Sequence, residues 1–277
     1  MNVPSAMNLS RLSSVLNRLA PGIGVGRLLG RLVGWRPLFD LPACLEKPEG
    51  ARVMVIAPHP DDETIGCGGT LRKHHLAGDR VTAVFMTGGS KGDALAGGIS
   101  GEALIELREQ EAQAAAAVLG IDECVFLRNE DTSLQCSPHT VGQLRRLLQS
   151  LQPDIVYAPS PLETHRDHRE AWVIAARALG EYSQPVQVYL YEIWAPVPAN
   201  CAVPIDVEHK VAAVRCYRSQ MDERDLLVVA VTNLARYRGI TCLPGRDVSV
   251  ECFLRLDRDA VAELADSVAS CQNVLGA

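Results

Sequence analysis

The chain of 277 residues is 47% hydrophobic and 22% charged, a balance that excludes the disordered and fibrous classes. With 27 Lys+Arg against 33 Asp+Glu, its net charge of −6 argues against a nucleic-acid partner, which would need clustered basic residues to displace counterions from phosphates. Nine cysteines, odd in number and never spaced Cys-x-x-Cys, argue against a disulfide scaffold or a cysteine-only zinc site and fit a reducing cytoplasm.

Residues 1–39 carry Arg11, Arg18, Arg27, Arg31 and Arg36 and no acid, a local charge of +5 that leaves −11 for the remainder. Leu9, Leu12, Val15, Leu16 and Leu19 recur at helical spacing, as do Val25, Leu28, Leu29, Leu32 and Val33 after Pro21-Gly22. Residues 1–45 therefore read as a basic amphipathic arm of two short helices. Such an arm either packs on its own domain, the commoner use of an amphipathic helix, or makes a peripheral contact with an anionic membrane surface or a partner. No run of about eighteen apolar residues is present to span a bilayer, and the layout of a secretory signal is missing. The expected location is cytoplasmic, with membrane association through the arm as its alternative.

From Arg52 onward, short apolar runs alternate with helical stretches. Val53–Ala57, Val81–Met86, Cys124–Leu127, Ile155–Ala158 and Val186–Tyr191 are rich in β-branched residues and continuously apolar, as strands buried on both faces are. Helical patterns occupy 64–77, 102–119, 138–151 and 169–181. The alternation predicts one α/β domain over residues 46–277, Rossmann-like, with a mostly parallel sheet and helices on both faces. The stretch 195–205 reads as a proline-containing loop, followed by helices near 209–219 and 223–237, a strand at 248–255 and a helix from about 258. This C-terminal third, about 195–277, reads as an elaboration of the same domain.

Ligands of such sheets bind beyond the carboxyl ends of the strands. Two polar clusters fall there. Pro58-His59-Pro60-Asp61-Asp62-Glu63 follows the first predicted strand, and Glu163-Thr164-His165-Arg166-Asp167-His168 follows the fourth. Helix capping explains one carboxylate in each but neither the histidines nor the doubled aspartate. His, Asp and His are a common three-ligand set for a catalytic zinc whose fourth position is left open. A magnesium pocket accepting phosphate would use the paired aspartates but leaves the histidines without a role.

The two clusters resemble the paired signatures of the PIG-L/LmbE-type zinc de-N-acetylases, which in many members read Ala-His-Pro-Asp-Asp-Glu and His-Pro-Asp-His. Gly66, Gly68 and Gly69, then Arg108 and Glu111, Asp131, Lys210, Tyr217, Ser219, Gln220 and Glu251 fall in the family's order, so the resemblance covers about residues 51 to 255. It implies a metal-dependent hydrolase that removes acetyl from an N-acetylglucosaminyl-type amino sugar or glycoconjugate. His59, Asp62 and His168 would hold Zn2+, with Fe2+ as the alternative ion. Asp61 would be the general base, His165 the oxyanion donor, kept charged by Asp167 holding its ring, and Arg108 and Asp131 would contact substrate hydroxyls. Pro58, Arg166 and Thr132 depart from the family's usual Ala, Pro and Gly. The motifs leave two alternatives open: the same site acting on another amide such as a thiol conjugate, or a non-catalytic metal- or sugar-binding relative.

Overall fold

The computed structural model describes residues 41–92 and 97–265. The chain divides into two units, Met1–Leu41 and Pro42–Ala277, and every element below belongs to the second. The expected amphipathic helices at Leu9–Leu19 and Val25–Val33 lie outside the described residues.

Strand β1 (Ala43–Cys44) is followed by β2 (Arg52–Ala57), α1 (Asp62–Leu76), β3 (Arg80–Thr87), α2 (Gly101–Leu119), β4 (Glu123–Asn129), α3 (Pro138–Leu151), β5 (Ile155–Pro159), α4 (Arg166–Gly180) and β6 (Gln187–Tyr191). Then come β7 (Cys201–Ile205), α5 (Val207–Val214), a 3-10 turn (Arg218–Gln220), α6 (Leu226–Cys242) and β8 (Ser249–Leu256). The eight strands form one sheet in the order β1-β7-β8-β6-β5-β2-β3-β4. Pairing from β6 to β4 is parallel throughout, while β8 runs antiparallel to both β6 and β7.

Both faces of the sheet are covered, as the continuously apolar strands require. Val53, Val55 and Ala57 of β2 pack on one side with Ile65, Leu71, Ala112 and Leu119 from α1 and α2. Met54 and Ile56 pack on the other with Leu144, Leu148, Trp172 and Leu179 from α3 and α4. Each such side chain stabilises the fold by roughly 1.5–3 kcal/mol relative to its exposed form. Gly66 lets α1 lie close on the sheet: a Cβ there would collide with the Tyr191 ring.

Two elements differ from the sequence reading. Ala43 and Cys44 already pair with Cys201 and Ala202, so the sheet reaches back ahead of residue 46. The proline-containing stretch before residue 205 holds strand β7, paired along its whole length with β8. Because β1 reaches only Ala202, Pro204 lies where β7 has a sheet neighbour on one side alone, the edge position that tolerates a missing N–H.

The chain moves from β2 outward through β3 to β4, then crosses back to place β5 on the other side of β2. The carboxyl ends of β2 and β5 therefore flank the point where the winding direction reverses, the place where open α/β sheets leave a crevice. Both polar clusters leave the sheet there.

Candidate active site

Residues 58–61 turn sharply between β2 and α1. The Pro58 carbonyl accepts from Thr87 N and Oγ1 at 3.0 and 2.9 Å, which ties this turn to the end of β3. Asp61, the residue before α1, has φ of 131°, a strained conformation for a residue with a Cβ. Two groups hold it. Glu63 Oε2 accepts the Asp61 N–H at 3.2 Å, and the fully buried Glu63 is itself bound by the hydroxyls of Tyr217, at 2.5 Å, and Thr64. From α2, Arg108 donates to the Pro60 carbonyl at 2.6 Å, to the Gly89 carbonyl at 3.0 Å and to Asp61 Oδ2 at 3.2 Å. Gly89, with φ of 66°, has no room for a Cβ against that guanidinium.

The loop after β5 is pinned by Glu163, whose carboxylate accepts from Ile193 N at 2.7 Å and Trp194 N at 3.1 Å beyond β6. His165 caps α4, its Nδ1 accepting from Asp167 N at 3.2 Å. One turn in, His168 points back at the first cluster.

Three side-chain atoms meet there. His59 Nδ1 lies 3.2 Å from Asp62 Oδ2, His168 Nε2 lies 3.3 Å from the same oxygen, and the two ring nitrogens are 3.3 Å apart. Metal–ligand bonds of about 2.0 Å in a tetrahedron put neighbouring donors about 3.3 Å apart, so this triangle matches a tetrahedral ion with one free corner. Its electrostatics agree. Burial opposes charge on Asp62, but His168 and His59 outweigh it and hold the carboxyl well below the ordinary range. Burial likewise acts to lower His168, yet Asp62 overrides it and lifts the ring to about 9. The cluster is built to hold positive charge.

His59 Nε2, on the far side of the ring, faces Asp131 Oδ1 at 3.1 Å and Asp167 Oδ2 at 3.3 Å. Those carboxylates form a cation-sized group with His59, as His165 does with His59 and His168; each accepts a backbone N–H, Lys91 N on Asp131 and Thr132 N on Asp167, both at 2.7 Å, just as Asp62 Oδ2 accepts His59 N at 2.9 Å. They orient the ring from behind, as carboxylates do for metal-binding imidazoles. His168 Nδ1 lies 3.5 Å from Glu163 Oε2, a charge contact without a hydrogen bond.

All eight residues singled out for the site come together, but not all are turned as expected. Asp167 braces His59 rather than His165: a carboxylate in the first turn of α4 is aimed at the neighbouring loop, while the backbone N–H of Asp167 meets His165. Nor do its surroundings favour a charge on His165. Burial first, then the charges of His59 and His168, lower its pKa, and with Nδ1 accepting, the ring proton sits on Nε2. Arg108 and Asp131 line the cavity, yet Arg108 is engaged on the Asp61 turn, and the two oxygens of Asp131 face His59 and Lys91 N. Thr132, at φ of 62°, adopts the conformation that a glycine takes without strain.

The cavity over this cluster has a volume of about 190 Å³ and is bordered also by Lys91, Gly92, Trp194 and Gln220. Asp61 faces it, and burial raises its carboxyl to about 7 despite the lowering influence of Arg108. Trp194, about half exposed, stands at the mouth, while Trp172, Tyr189 and Tyr191 are core residues. The sequence order of Tyr217 and Gln220 gave no sign of what they do; a contact between Glu63 and Tyr217 spans 154 positions and exists only in the fold.

Residues 54–179 match the family PIG-L, described as GlcNAc-PI de-N-acetylase. The diacetylchitobiose deacetylase of Thermococcus kodakarensis is 34% identical over 131 residues, 46% of this chain and 49% of that protein. Among solved structures, the N,N'-diacetylchitobiose deacetylase of Pyrococcus horikoshii superposes with a TM-score of 0.69 at 28% identity, covering 76% of this chain and 85% of its own. A conserved protein of Thermus thermophilus gives 0.64 at 30% identity, covering 74% and 94%. The matches to curated sequences span about half of those proteins' length.

Proposed function

This chain belongs to the PIG-L family, and from that premise we propose that it is a metal-dependent hydrolase removing the N-acetyl group from an N-acetylglucosaminyl-type sugar or glycoconjugate. The observation that carries the reading is the triangle of His59 Nδ1, Asp62 Oδ2 and His168 Nε2 beneath a cavity into which Asp61 faces. Those three residues would hold the ion. Two imidazoles and one carboxylate suit Zn2+, with Fe2+ as the alternative. When bound, the ion supplies Lewis acidity toward a water and the amide carbonyl.

The protein's own groups supply the proton chemistry. Asp61 takes the proton of the attacking water as oxygen bonds to the carbonyl carbon. As the C–N bond breaks, that proton is delivered to the departing amine, leaving acetate and the free amino sugar. A base whose pKa lies near the working pH both accepts and returns a proton well, and burial raises the Asp61 carboxyl from the ordinary carboxylate range in that direction while a bound cation would draw it back down. His165 donates its Nε2 hydrogen, as a neutral imidazole, to the oxyanion that develops on the carbonyl. Arg108 positions Asp61, and Asp131 and Asp167 position His59.

The test is release of free acetate from a panel of N-acetylglucosaminyl compounds by metal-loaded protein. Hydrolysis of at least one member is expected, and inertness on the whole panel refutes the substrate class.

A further inference from the structure

We propose that the sugar processed here carries an apolar aglycone, an alkyl or acyl chain, which lies in a groove between the loop after β6 and helix α6; the inference rests on the deacetylase reading above. Past Asp61, Trp194 and Gln220, the catalytic cavity borders a second space of about 510 Å³ walled by Leu226, Leu227 and Ala230. Trp194, Leu227 and Ala230 also border a third space, of about 220 Å³, that reaches Leu234 and Ala235. The reacting centre is thus continuous with a path along one side of α6.

That helix has more hydrocarbon than its packing uses. Val231, Ala235 and Cys242 are buried, and α6 packs on β8. Along the groove Leu226 remains 48% exposed, and Trp194 across it is 52% exposed. A concave apolar path joined to a polar reacting centre is the usual form of a ligand site.

The polar residues along the groove identify its occupant by what they do not offer. Lys210 Nζ is held by Glu251 Oε1 at 2.6 Å, and the Glu251 carboxylate also accepts from Gly69 N and Thr70 N. Glu192 is taken by Arg238 and by Val197 N. Asp222 accepts Leu226 N at 2.8 Å and Arg224 Nε at 3.2 Å. Every charge along the path has a protein partner, so a phosphate or carboxylate on the aglycone would lose water there without gaining a counter-charge, whereas a hydrocarbon chain loses nothing by entering.

The experiment compares methyl, butyl and octyl glycosides of N-acetylglucosamine, below micelle formation, by acetate release from the metal-loaded full chain. A fully buried methylene is worth about fourfold, so kcat/KM is expected to rise at least tenfold from methyl to octyl even with partial burial. Ala230→Trp, at an exposed helix position, fills the groove, and Leu234→Asn makes its wall polar; each should bring the octyl-to-methyl ratio toward one. Calorimetric binding of the matching alkyl glucosides, which have no amide, reads the groove without turnover, and tighter binding of the longer chain is expected there too. Acetate release with a flat chain-length series overturns the groove and leaves the deacetylase reading standing. No acetate from any glycoside, with binding that still tightens with chain length, overturns the deacetylase reading and supports the groove. Chain-length-independent binding overturns the groove in either case.

Discussion

Arg108→Gln removes the guanidinium charge beside Asp61 while keeping a neutral hydrogen-bonding side chain at that position of α2. The guanidinium lies 3.2 Å from Asp61 Oδ2. With an effective dielectric near 20, that contact is worth at most about 5 kcal/mol, and neighbouring opposite charges typically lower a carboxyl by about 1–3 pKa units. Losing the cation therefore raises the Asp61 pKa above its position near 7. As a base, Asp61 works only when ionised, so the acid limb of log(kcat/KM) against pH should move upward by about 1–3 units. Activity should fall most at and below neutral pH and recover as the pH rises. A cation held by His59, Asp62 and His168 lowers the starting point of both proteins, so the displacement between them is the quantity to read. The assay is a pH profile of acetate release. A uniform loss at every pH with an unmoved acid limb would refute the electrostatic role of Arg108, and a change confined to KM would assign it to substrate contact instead.

Asp61→Asn should reduce kcat by about 10²–10⁴-fold while metal content by elemental analysis stays that of the wild type; a non-catalytic binder would be indifferent to the change. His168→Ala opens the ligand triangle, and the bound divalent ion per chain should fall well below one after dialysis, with a chelator such as dipicolinate abolishing the wild-type activity. Lys210→Met leaves Glu251 buried without its cation, and breaking such a pair costs about 3–5 kcal/mol, to be read as a lowered urea midpoint; an unchanged midpoint would show that the backbone donors of Gly69 and Thr70 suffice. Removing residues 1–39 should leave activity largely intact but abolish binding to anionic vesicles if the arm is a peripheral contact, whereas loss of solubility would show that it packs on its own domain.

Much of this was legible in the chain itself. Continuously apolar strand runs such as Val53–Ala57 and Ile155–Ala158 announce burial on both faces, and that burial demands helices on either side of a parallel sheet. That the clusters of His59-Asp62 and His165-His168 would meet was readable because each follows a strand of a parallel sheet, whose strand ends open on one side; which of their residues would hold an ion came from the family resemblance. Pro204 concealed β7, because a proline disqualifies a strand only where both edges are paired, and how far β1 reaches is not written locally.

The tertiary structure alone decided where each side chain in those clusters points. Spacing along a loop fixes which residues arrive at the crevice but not which neighbour each will face. Asp167 could have braced His165, two residues away, and instead meets His59 from the other cluster. Arg108 and Asp131 arrive where expected yet turn inward, and Glu63 holds the strained Asp61 only because Tyr217 closes over it from the far end of the domain. The apolar path along α6 is of the same kind: the chain shows a helix there, and only the packing of α6 beside β8 and the loop after β6 brings Leu227, Ala230 and Leu234 to the rim of one space with Trp194.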